Sequence, residues 1–139
     1  MSENALELVE MLLEWGIVKL SAREGFSVLM LEERGDDRTM AKYSLDTVEE
    51  AILRAVADIR QAASEIGAYA LCYDVTIRSS VGPLRGFLLH AEERDSLCRY
   101  VLFHPVSFRG REAVLAPGGL HPVEEREKLL TAGGDARLG

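Results

Sequence analysis

Only two of the 139 residues are cysteine, Cys72 and Cys98, too few for the disulfide framework on which small secreted domains depend. Long apolar runs are missing as well, since none approaches the ~20 residues of a membrane-spanning helix. The opening MSENALELVE is acidic and has no basic region of the kind that begins a secretory signal. Positive charge is also in deficit. Sixteen Lys and Arg against 23 Asp and Glu give a formal net charge of −7. That balance argues against nucleic acid as a partner, because phosphate binding needs a basic footprint. Together these shortages predict an acidic cytoplasmic protein with neither a membrane nor a nucleic-acid partner. Motifs that carry recognisable chemistry are absent too: there is no CxxC, HExxH, GxGxxG, P-loop or GxSxG. The sequence therefore predicts no metal and no cofactor, and it points to no catalytic residue.

What is present is strong periodicity. Ser2 reads as a helix N-cap, followed by a broad apolar stripe of Ala5, Leu6, Leu8, Val9, Leu12, Leu13 and Trp15. Gly16 is the expected helix stop, and Ile17 to Leu20 fits a last turn or a short strand equally well. Gly25 is expected to open a hairpin of Phe26 to Leu31 and Thr39 to Tyr43, joined by Arg34-Gly35-Asp36-Asp37. Gly and Asp favour turn geometry, which accounts for the Arg-Gly-Asp tripeptide. Asp46, with Glu49 three residues on, forms a capping-box pattern that starts a long helix over 46–66. Val48, Ile52, Ala55, Ile59, Ala62 and Ile66 make its apolar face. Such a helix would be about 30 Å long.

At Gly67 the period changes. Three extended segments follow, over 68–78, 84–93 and 97–108, and residues 111–116 could add a short fourth. In the first, Tyr69, Leu71, Tyr73, Val75 and Ile77 share one face, while Ala68, Ala70 and Cys72 start the other. Apolarity on both faces means that the sheet needs covering on both sides. Pro105 cannot donate to a ladder, so its end of the third segment is expected at an edge, at a bulge or beyond the pairing. Pro117-Gly118-Gly119 breaks the chain, Pro122 suits the first turn of a short helix ending near Leu130, and 131–139 reads as a flexible tail.

The predicted fold is a single α+β domain over 1–130. It has one antiparallel sheet of about five strands in the order α-β-β-α-β-β-β-(α). The long helix packs on one face and the first helix or a partner subunit on the other. This element order resembles that of roadblock-type dimeric adaptor modules, in which two copies often share a continuous sheet. It resembles, less closely, the small acidic chaperones of type III secretion.

Candidate site residues are few. Asp74 is an acid on a central strand, where burial would raise its pKa as in a general base. His90 and Glu92 alternate onto one strand face, a spacing compatible with two metal ligands, although further ligands are wanting. Arg78, Arg85, Arg94, Arg99, Arg109 and Arg111 lie on strands and turns, where cross-strand pairing or an anion-binding patch would account for them. The speculative ligand-binding set is Asp74, His90, Arg78 and Arg99. The expectation for function is a non-enzymatic protein-interaction module, adaptor or scaffold-like, acting as a homo-oligomer. One alternative is a small enzyme or ligand-binding protein built on Asp74, His90 and the strand arginines. Another is an acidic chaperone or neutralising partner of a secreted protein.

Overall fold

The computed structural model describes residues 1–23 and 26–130. The expected hairpin opening at Gly25 and the tail over 131–139 lie outside them. Two helices and seven strands run in the order α1 (Glu3–Ser21), β1 (Val28–Arg34), β2 (Asp37–Tyr43), α2 (Val48–Gln61), β3 (Ala68–Ser79), β4 (Gly82–Glu93), β5 (Arg99–Arg109), β6 (Glu112–Leu115) and β7 (His121–Arg126). All pairings are antiparallel. The sheet order is β2-β1-β3-β4-β5-β6, with β7 also on β5. The α+β class and the open antiparallel sheet are as the sequence predicts; the strand count is seven rather than five. Among the described residues, no helix is long and apolar enough to cross a membrane.

Side-chain alternation sorts the core into two layers. Leu71 pairs with Met30 on one side and His90 on the other, so the odd residues of β3 face the same way as Met30 and His90. Tyr69, Leu71 and Tyr73 pack there with Val28, Met30 and the α2 residues Ala51, Ala55 and Ile59. The opposite layer sets Ala68, Ala70, Cys72, Phe87 and Leu89 against Leu8, Val9, Leu12 and Leu13 of α1. The second sheet face is thus covered by the first helix. Its buried residues Ala5, Leu8, Val9, Leu12, Leu13 and Gly16 repeat at three and four, the spacing of one helix face.

Four sequence expectations change. Gly16 does not end α1, which continues through Ile17–Leu20 to Ser21. The glycine is needed mid-helix because a Cβ there would sit 2.7 Å from Cζ of the buried Phe87 ring. Helix α2 starts at Val48, capped by Thr47, whose Oγ1 accepts from Glu50 N at 3.1 Å. A β-region Thr47 serves the cap as well as Asp46 would, and the register moves by one. The helix also stops at Gln61 rather than 66, and Arg94 donates to the carbonyls of Ala63 and Ile66 beyond it. The last predicted helix is instead β7, which finds backbone partners along the free edge of β5.

Strands β6 and β7 act as one interrupted edge strand. Val106 pairs with Leu115 and Phe103 with His121, so residues 116–120 bulge out opposite His104 and Pro105. Ala116 N–H donates to Pro105 O at 3.0 Å, which puts the donor-less Pro105 nitrogen on that same edge. The ladder opens where Pro105 has nothing to give.

Candidate functional site

His90 lies on the α2 side of the sheet, paired with Leu71 and 2% exposed. Its Nε2 is 3.0 Å from the Tyr73 hydroxyl, and its Nδ1 has no hydrogen-bond partner. The ring pKa falls to about 4: burial lowers it most, and the Arg99 and Arg126 guanidiniums add to the fall. The ring is therefore neutral, and a hydrogen bond joins its Nε2 to the Tyr73 hydroxyl. Burial pushes the Tyr73 hydroxyl pKa up, so it stays protonated. Two residues along β4, the fully buried Glu92 accepts from Tyr69 Oη at 2.9 Å, Leu129 N at 2.8 Å and Leu130 N at 3.0 Å. Those bonds fasten the segment after β7 onto the sheet, with Leu129 and Leu130 buried beside α2's layer. The Tyr69 hydroxyl pKa rises well above the usual range through burial and the neighbouring carboxylate.

The structure divides the predicted set. His90 and Arg99 share a face and interact electrostatically, with Arg99 Nε buried and unpartnered. His90 pairs with Val101 of β5. Asp74 points to the other face, half-buried, and holds Arg85 bidentately at 3.1 and 2.7 Å. Arg78 stands opposite Pro83 near the tip of the β3–β4 hairpin. His104 is on the α1 side, its Nδ1 donating to Pro105 O at 2.9 Å, while His121 is exposed on β7. Cys72 is fully buried against α1 with its thiol pKa pushed up by burial, which removes thiolate character. Cys98 precedes β5 and is half-buried, and both thiols are free. Among the described residues, no three His, Cys, Asp or Glu side chains are grouped to hold a metal ion.

Sequence reasoning missed a groove between α1 and β6. Leu6, Leu13, Glu14 and Leu115 border a cavity of about 460 Å3 with His104 at its floor. Glu14 and Leu115 also border its neighbour of about 450 Å3, walled by Ile17, Val18 and β6. Shared walls make the two one trough along the helix. Its walls are mainly apolar, with Val18 63% and Leu115 38% exposed. Glu10, Glu14 and Glu112 supply charge, and no Lys or Arg lines either cavity.

The sheet edge beside this trough has one open rung. Ser21 Oγ accepts from Ala113 N at 3.0 Å and donates to Ala113 O at 3.4 Å, closing the edge at that residue. Ala116 points inward to Pro105, so by alternation Leu115 points its N–H and C=O outward. Neither has a partner among the described residues. The apolar wall was readable as part of α1's wide stripe; the groove was not, because β6 is four residues long and reaches the helix only through tertiary packing. No protein-family model, curated protein or solved structure matches the chain.

Proposed function

We propose that the protein is an interaction module that docks an extended, basic and apolar segment of another protein in the trough between α1 and β6. The observation that carries this reading is the unfilled backbone rung of Leu115 lying beside an apolar trough with acidic walls. An added strand would take its main-chain bonds from such an edge and its specificity from side chains set in the trough. Glu10, Glu14 and Glu112 complement a positively charged segment. The sequence leaves the second sheet face to the first helix or a partner subunit. Helix α1 covers it, so a second copy is not required there, and a different protein is the occupant we favour for the trough. An acidic chaperone would use the same surface in the same way. An enzyme built on Asp74 and His90 has less in its favour, since the two lie on opposite faces of the sheet.

Fluorescence anisotropy with a labelled octapeptide of alternating Lys and Val, and a Glu-Val twin, tests the reading. The basic peptide should bind and the acidic one should not. Glu14→Lys, an exposed substitution on the shared wall, should weaken binding by about tenfold, with greater salt sensitivity in the wild type. Equal binding of both peptides, or no effect of Glu14→Lys, would refute the site. Sedimentation equilibrium adds a second arm: a dimer that Glu14→Lys splits would give the trough to another copy of this chain and overturn the proposal of a different partner.

A further inference from the structure

We infer that the cavity between the end of α1 and the β5–β6 turn binds the phosphate group of a small phosphate ester. The cavity holds about 360 Å3 and is lined by Leu20, Arg23, Arg85, Phe108, Gly110 and Arg111. Three arginines line it in a protein of net charge −7. Arg85 is fixed: Nε and Nη2 are committed to Asp74, and its guanidinium carbon lies 4.9 Å from the Phe108 ring centre. Asp74 is its only ion-pair partner among the described residues. Arg23 and Arg111 form no ion pair among the described residues, although the chain has 23 carboxylates against 16 cationic side chains. Arg23 also sits at φ +59, a left-handed conformation uncommon outside glycine.

Charge selects the ligand. Three arginines and no carboxylate line the cavity, so it favours an anion, and the dianion of a phosphate monoester meets more of that charge than a single carboxylate does. Guanidinium forks match phosphate oxygens in geometry as well as charge. The cavity has room for more than a bare phosphate, and Leu20 and Phe108 offer apolar wall to the organic part of an ester. This cavity shares no lining residue with the α1–β6 trough, so substitutions at Arg23 and Arg111 test it separately from the peptide-docking proposal.

Isothermal titration of the intact chain with inorganic phosphate, phenyl phosphate and a phosphoserine octapeptide tests the inference. Phenyl phosphate should bind most tightly. Arg111→Gln should weaken it about tenfold, and Arg23→Gln/Arg111→Gln should bring binding below detection, since each removes charge-assisted hydrogen bonds. Both residues are on the surface, and an unchanged melting temperature will show that the variants fold. Undiminished binding by the double variant, or no binding of phenyl phosphate to the wild type, would overturn the site. Tighter binding of the phosphoserine peptide than of phenyl phosphate would overturn the small-ester assignment in favour of a phosphorylated protein.

Discussion

His90 makes the fold sensitive to mild acid, and the size of the effect follows from its surroundings. The ring faces Tyr73 from β3, Arg99 from β5, and Arg126 and Glu124 from β7. In the folded chain it takes a proton only near pH 4; in the unfolded chain it does so at the ordinary 6.5. Between those values the unfolded state binds more protons, so stability falls as pH drops through this window and is restored above it. At about 1.4 kcal/mol for each pH unit between the two values, the full loss is roughly 3 kcal/mol. Carboxylates titrate in the same range, which makes the difference between wild type and His90→Leu the useful quantity. The variant strands the Tyr73 hydroxyl at every pH, and the Tyr73 pKa is raised rather than lowered, so that cost is constant. Urea denaturation from pH 7.5 to pH 4 should show the two curves converging by roughly 3 kcal/mol as the pH falls. Parallel curves would mean that His90 is not held neutral, and the account of this buried layer would be wrong.

Other expectations follow from close contacts. Gly16→Ala ought to stabilise a helix interior by about 1 kcal/mol from propensity alone. Here the added Cβ meets Phe87, whose ring is fully buried, so a loss of about 1–3 kcal/mol is expected, and a raised melting temperature would contradict the close crossing. Glu92→Ala leaves the Tyr69 hydroxyl and the Leu129 and Leu130 amides without their acceptor. It should cost about 3 kcal/mol and speed tryptic cleavage after Lys128; an unchanged cleavage rate would deny the fastening role. Ile59→Asp puts a charge into the fully buried face of α2 and should abolish folding, which a normal circular dichroism melt would disprove.

Much of the fold was legible because local rules act over short spans. The alternation in β3 separated Tyr69, Leu71 and Tyr73 from Ala68, Ala70 and Cys72, and the two core layers keep that division. Pro105 announced a break in pairing, and the outer strand opens opposite it. Errors arose where a distant contact decided a local choice. Gly16 carries the helix-stop signal, yet what matters is its approach to Phe87 on β4. Val123 to Leu130 has weak helical periodicity, and the vacant edge of β5 took its first residues as β7. The predicted site set failed to assemble for a similar reason. Asp74 and His90 are on neighbouring strands, but their parity sends them to opposite faces. Arg23, Ser21 and Leu115 gave no signal, since their roles depend on where the end of α1 meets β6.

The docking account rests on the rung at Leu115, and its amide is the most direct probe. Hydrogen exchange resolved to single residues, with and without saturating basic octapeptide, would compare Leu115 with Leu29 in the sheet interior. If the peptide adds as a strand, Leu115 N–H gains protection on binding while Leu29 does not change. Binding that leaves Leu115 exchanging at its free rate, or that protects the β2 edge instead, would contradict the account.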